Sequence, residues 1–319
     1  MEDRRFSPIL LSLLLFFATS AGLFAQQPSK ESFDAPVVLT RVVTYPEPHP
    51  EVQKGYLEDV TKQELAQDFG PDNFQVQVGG VAAQVESVLI EKGPKRVVLV
   101  LDASKPVPKD EYDENIYVAK ALLGYARSKD RFKVLLVGSD APTAKFISPS
   151  ETKRYLGELR AARPPTTEPG TRIYDTLLTA AKNLDPPQFG DVVILFGRLE
   201  DSGSKATMED LSGAFVREKL RFFGVSFAPS PPPPALERLS AATGYSILLE
   251  PMRDGRILGI WEPDFEFWYA WIAEPYRLRV SLPALGRQDL IEIKLVPGLK
   301  KKKTEGIELH FPRIVYPLN

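Results

Sequence analysis

The chain has 319 residues, 43% hydrophobic and 26% charged, which suits a globular protein of about two domains and argues against global disorder. With 40 Lys and Arg against 42 Asp and Glu, the formal net charge is −2, so the basic surplus that a nucleic-acid binder uses to displace counterions is missing. There is no cysteine and there are only 2 histidines, His49 and His310, which excludes disulfides, thiol catalysis, zinc fingers and iron–sulfur clusters and leaves little for a His-based triad.

Residues 1–25 have the form of a secretory signal. Arg4 and Arg5 precede an apolar run from Ile9 to Ala18, and small residues lead to Ala25, after which cleavage is expected. The alternative is an uncleaved membrane span, but Ile9 to Ala25 is short for the ~20 residues a span needs. No cysteine follows the apolar run, so a lipoprotein anchor is excluded, and no other stretch is long and apolar enough to cross a bilayer. The expected location is secreted or periplasmic.

The mature chain divides into three parts. Residues 26–94 read as an N-terminal β segment, with a strand at Pro36–Thr44 and a hairpin of Phe74–Val78 and Ala82–Ile90 around Gly79-Gly80. Between them, Thr61 and Glu64 have the spacing of a capping box for a short helix to Phe69. Residues 95–263 alternate strands with helices. Arg96–Asp102, Phe132–Gly138, Asp191–Gly197, Arg221–Phe227 and Tyr245–Glu250 are strands, the first a continuous apolar run of the kind buried on both faces. Lys145–Ser148 is a candidate edge strand. Helical spacing marks Ile116 to Ala126, Tyr155–Leu159, Ile173 to Leu184, Met208–Leu220 and Leu236–Ala242. The run Pro231–Pro234 is expected to stop regular structure. Residues 264–319 read as a linking helix and C-terminal strands, Tyr276–Leu282 and Leu290–Val296. Neither terminal segment has enough strands for a core of its own. The expected fold class is α/β. A doubly wound, mostly parallel, Rossmann-like sheet is inserted in a β-sandwich-like module made by both chain ends.

The order of motifs resembles the von Willebrand factor type A (VWA) fold, and in particular a secreted VWA-related family of acidobacterial type. The resemblance covers most of the mature chain. It rests on Asp72–Val88, Gly170-Thr-Arg-Ile-Tyr-Asp175, Leu236-Glu-Arg-Leu-Ser-Ala-Ala-Thr-Gly244, the aromatic stretch Phe267 to Tyr276 with the strand after it, and Pro297-Gly-Leu-Lys300. The resemblance implies a divalent cation, Mg²⁺, held at the carboxyl end of the sheet by D-x-S-x-S, a Thr and a second Asp. Here Asp102, Ser104 and Thr171 stand at three of those positions. Pro106 and Gly197 replace the second Ser and the second Asp. Hard oxygen ligands are therefore short, and Lys105 and Arg198 bring charge that opposes a cation. The expectation is a vestigial metal site without a bound cofactor.

Several readings of these residues remain side by side. Lys105 or Arg198 replaces the cation by neutralising Asp102. Asp102 merely caps a loop, Thr171 is the N-cap of the next helix, and Asp175 favours that helix dipole. Glu200 and Asp201 are nearby acids with the wrong spacing. Among the remaining features, Trp261, Trp268 and Trp271 cluster with Phe265, Phe267, Tyr269 and Tyr276, and the helical spacing of Phe265, Trp268 and Ile272 favours interdomain packing over an exposed glycan or peptide patch. Lys300–Lys303 reads as a lysine-protected turn or edge rather than a lipid contact. Two function classes follow. The first is a non-catalytic protein–protein interaction or adhesion module, for which a protein partner is expected. The alternative is a hydrolase-type enzyme with its site at the strand carboxyl ends, for which no Ser/His pair, acid/base set or cofactor fingerprint is found.

Overall fold

Two sheets, one parallel and one antiparallel, organise the described chain. The computed structural model describes residues 31–41, 69–139, 145–166, 170–226, 232–244, 247–249, 252–253, 256–257, 262–282, 289–295 and 307–315. Strands β1 (Glu31–Arg41), β2 (Phe74–Val78) and β3 (Val81–Ile90) come first. The alternating unit follows as β4 (Arg96–Asp102), α1 (Lys109–Leu122), β5 (Arg131–Val137), α2 (Pro149–Ala161), α3 (Ile173–Asn183), β6 (Val192–Phe196), α4 (Met208–Arg217), β7 (Arg221–Ser226), α5 (Pro234–Thr243) and β8 (Ile247–Leu249). The short strands β9 (Met252–Arg253) and β10 (Arg256–Ile257), the helix α6 (Glu262–Ala273), and β11 (Tyr276–Leu282), β12 (Asp289–Leu295), β13 (Ile307–His310) and β14 (Ile314–Val315) complete it.

The inner sheet has the order β5-β4-β6-β7-β8, and every pairing is parallel. Strand β4 shows why its sequence lacks alternation. Val97, Leu99 and Leu101 pack into the layer that holds α1, α2 and α6, while Val98 and Val100 pack into the layer of α3, α4 and α5. Both faces are covered, so both sets of side chains are apolar. The chain runs from β4 outward to β5 and then returns to β6 on the other side of β4. The loops after β4 and β6 therefore part to opposite faces and leave a crevice at the carboxyl ends of these two strands.

The outer sheet has the order β13-β1-β11-β3-β2-β12-β14, all antiparallel, with strands from before and after the inner sheet in sequence. Ile90 of β3 pairs with Tyr276 of β11, and Phe74 of β2 with Leu295 of β12. The hairpin and the C-terminal strands thus share one sheet. Its seven strands form a single hydrogen-bonded order, and its apolar side chains, among them Phe33, Val76, Leu278 and Ile293, make a core of their own.

Some expectations need correction. Of the proline run, Pro231 lies outside the described residues and Pro232 and Pro233 are outside regular structure, Pro233 as the N-cap of α5, but Pro234 already stands in its first turn, where a missing N–H costs nothing. Of the candidate edge strand Lys145–Ser148, only Ile147 pairs, in an antiparallel bridge to Phe132. The signal segment, the capped helix up to residue 68, Trp261, Pro297–Lys300 and the lysine run lie outside the described residues.

Helix α6 joins the two sheets. Phe265, Tyr269 and Ile272 are buried on one stripe, and Trp268 and Trp271 pack partly buried against the same core. Helix α5 ends at Gly244 with φ +85°. A Cβ there would lie 2.1 Å from the carbonyl carbon of Phe311, so glycine lets the C-terminal segment cross the helix end. There Arg313 N donates to Ala242 O at 3.1 Å.

Beneath the inner sheet, buried charge ties α6 to the strand starts. Asp130 accepts from Lys95 N at 2.8 Å, from Arg127 and from the Tyr269 hydroxyl. The Lys95 side chain is buried 3.6 Å from Glu91, and burial brings its ammonium down to about 8, against the opposing pull of Glu91. The unfolded chain then holds this proton more tightly than the folded one. The penalty is complete below pH 8 and is relieved as pH rises towards the unfolded value. Lys219, also lowered mainly by burial, acts in the same direction. Urea unfolding at pH 7 and pH 9.5 should show stability rising by about 1–2 kcal/mol, at about 1.4 kcal/mol per unit. In Lys95→Met most of that rise should disappear; an unchanged slope would refute the assignment.

Candidate functional site

Strand β4 ends on Asp102 at the crevice, and its carboxylate is turned inward, 1% exposed. Ser104 serves it twice: the backbone N–H donates to Oδ1 at 3.0 Å and the hydroxyl at 2.5 Å. The backbone N–H of Arg198 faces the same carboxylate and favours its charged form. Burial pushes the acid up, while these hydrogen bonds and the nearby Arg163 charge pull the other way. Ser104 Oγ lies 3.4 Å from Thr171 Oγ1. Asp102, Ser104 and Thr171 therefore meet, as residues on two loops of one crevice.

Gly197 closes the third side. Its N–H donates to Val225 O at 3.0 Å, and its φ is +154°. A Cβ at this position would stand 2.3 Å from Asp102 Cβ. The backbone of the β6 loop is thus packed directly on the acid, and no side chain fits between them.

The charged residues are arranged differently from the expected replacement. Lys105 is exposed at the tip of the first loop. The Arg198 side chain turns to Glu111 in the first turn of α1, with Nε 2.9 Å and 3.2 Å from the two carboxylate oxygens. Glu111 is 6% exposed, and burial raises its carboxyl against the pull of Arg198. The guanidinium nearest in effect to Asp102 is Arg163, which follows α2. It donates to the carbonyls of Val107 at 2.8 Å, Ala103 at 3.1 Å and Ser104 at 2.5 Å, and lies over the Tyr112 ring at 4.7 Å. Arg163 is a clamp on the first loop that the motif comparison does not include.

The loop after β6 is locked to the start of α3. The N-cap of α3 is Arg172, with no side-chain cap bond; Thr171 instead donates its N–H to Ser202 Oγ at 3.1 Å. Asp201 does the capping from across the crevice, accepting from Tyr174 N at 3.1 Å and from Ser204 Oγ at 2.5 Å. Asp175 returns the contact by accepting from Ala206 N at 2.9 Å and Lys205 N at 3.1 Å. Glu200 is exposed.

These donors do not fit a Mg²⁺ shell. The shell needs several outward oxygens in octahedral order. Asp102 is engaged by the backbone N–H and the hydroxyl of Ser104, Gly197 leaves no room for a second carboxylate, and Asp201 and Asp175 are held by backbone N–H groups.

No family model matches the chain, and no curated relative matches it. Among solved structures, it is similar to a von Willebrand factor type A protein from Catenulispora acidiphila, at 13% identity over 79% of this chain and 75% of that one, with a TM-score of 0.44. The SpRpn10 VWA domain is similar at 10% identity over 54% of this chain and 94% of that one, TM-score 0.38. A third is the proximal thread matrix protein 1 of the mussel byssus, solved with a zinc-occupied MIDAS motif, at 16% identity over 60% of this chain and 49% of that one, TM-score 0.46. The match thus spans about half the length of the byssus protein. None of these likenesses bears on the crevice, which is described from this chain's own side chains.

Proposed function

We propose that the chain is an exported, non-catalytic protein-interaction module whose binding face is the loop surface at the carboxyl ends of β4 and β6, a vestigial form of the metal site of VWA domains that works without a divalent cation. The observation that carries this reading is the internal satisfaction of Asp102 by Ser104 N and Ser104 Oγ, with Gly197 packed against it. A carboxylate committed in this way is a fixed part of the loop scaffold. The same holds for the other acids of the crevice. Glu111 is bound through both oxygens, and Asp175 and Asp201 hold backbone N–H groups, so none is placed to move a proton to or from a substrate. Three loops cross-braced by hydrogen bonds present a preformed surface, which lowers the ordering cost of binding a protein. Export rests on the N-terminal segment, Met1 to Ala25.

Titration of the mature protein with Mg²⁺ and Mn²⁺ by calorimetry is expected to give no saturable heat, and the unfolding temperature is expected to be the same in EDTA and in excess Mg²⁺. Saturable binding that is lost in Asp102→Asn would overturn the metal-free reading.

A further inference from the structure

The arginines near the two ends of the inner sheet differ in how they use their nitrogens. Arg96, Arg127, Arg163 and Arg221 all deliver terminal Nη groups to carbonyls or carboxylates of the chain. Arg198 is bonded to Glu111 through Nε alone, and its two Nη groups have no acceptor among the described residues. Its side chain is 35% exposed at the crevice. The pair with Glu111 fixes the plane of the guanidinium, and the unused edge carries donors in the fork geometry that matches a carboxylate.

The acids that line the crevice, Asp102, Glu111, Asp175 and Asp201, are already committed to partners within the chain. Lys105 stands exposed on the loop that flanks Asp102, and it forms no ion pair among the described residues. That loop is held by the three carbonyl bonds of Arg163, so Lys105 is carried on a braced backbone.

We propose that the free edge of Arg198, assisted by Lys105, is the receptor for an aspartate or glutamate side chain of a protein partner. The inference rests on the reading of this face as a metal-free interaction surface and names what the face recognises. Recognition is by a two-bond fork rather than by a broad field, since the exposed acids Asp110, in the first turn of α1, and Glu200, on the loop after β6, lie nearby. The guanidinium supplies the positive centre directly, so no ion is needed to bridge the two proteins.

The test is selection of random dodecapeptides displayed on phage against the immobilised mature protein in EDTA. The selected peptides should be enriched in Asp or Glu at one position. Replacing that acid by its amide should weaken binding about tenfold or more, and Arg198→Gln should cause a similar loss while Arg198→Lys retains part of the affinity. Lys105→Gln, on an exposed side chain, should weaken the same peptides by a smaller factor without changing the unfolding temperature. A pool without acid enrichment, or one of the same acid content on Arg198→Gln as on the parent, overturns the proposal. Peptides that bind in EDTA without an acid would sink the carboxylate receptor and leave the metal-free module standing. Binding only with Mg²⁺ would sink both.

Discussion

Gly197→Asp, the change that would restore the missing acid of the metal site, is expected to destabilise the protein by about 3–5 kcal/mol and to create no cation site. The new Cβ would stand 2.3 Å from Asp102 Cβ, in a backbone conformation, φ +154°, that side chains rarely adopt. Relief requires the β6 loop to move, and that loop carries the Gly197 N–H bonded to Val225 and the Arg198 side chain bonded to Glu111. The second carboxylate would also enter beside an acid already raised by burial, so like charge adds to the steric cost. Gly197→Ala separates the two contributions, since it has the clash without the charge and should retain most of the loss. Urea unfolding gives the stability and calorimetry the Mg²⁺ binding. Tight Mg²⁺ binding by a variant of parental stability would show that the loop is not packed as described.

At the opposite end of the sheet, Arg221→Met should cost about 3–5 kcal/mol, because a buried cation is removed from acceptors that stay behind. Arg221 is 0% exposed and donates to Gly190 O at 2.6 Å, Ile272 O at 2.5 Å and Trp271 O at 3.2 Å. The last two carbonyls belong to the final turn of α6, where a helix has no acceptor bonds of its own and favours a positive charge. Helix α6 has no basic residue in that turn, so the cation comes from the first residue of β7. Arg221→Lys keeps the charge but cannot reach three carbonyls from one nitrogen, and should recover less than half of the loss. A cost under 1 kcal/mol for Arg221→Met would mean that α6 is held by its aromatic stripe alone.

What could be read from the sequence follows from where each signal is stored. Strand β4 was legible to the residue because burial on both faces leaves one uninterrupted apolar run that ends on the first polar residue, Asp102. Strands β13 and β14 have four and two residues, too few for a period to show. Helix α1 begins at Lys109, well before the stripe that starts with Ile116, because its first two turns are mostly charged and polar, with Glu111 and Asn115 at buried positions where an apolar period would otherwise show. Asp102 was legible as the polar end of an apolar run, and Ser104 and Thr171 through the resemblance of their loops to a known motif. The partner of Arg198 was not, since Glu111 is 87 residues away and only the fold brings them together. A usable signal did exist: Glu111 lies on the helical face of Asn115, Val118 and Leu122, all buried, which makes it an acid on an inward stripe. Arg163 sits in irregular chain after α2, where no periodicity points to its role as a clamp.

The pairing of β1 with β11, from Glu31 against Leu282 to Val37 against Tyr276, has a consequence for the order in which the molecule assembles. The inner sheet is closed by neighbours that follow one another along the chain, so it can form as soon as it is made. The first strand to emerge has to wait for one of the last, and loop-closure entropy makes that step late. During synthesis β1 would present an open edge until the C-terminal strands arrive, which is the interval in which a holding chaperone has most to offer.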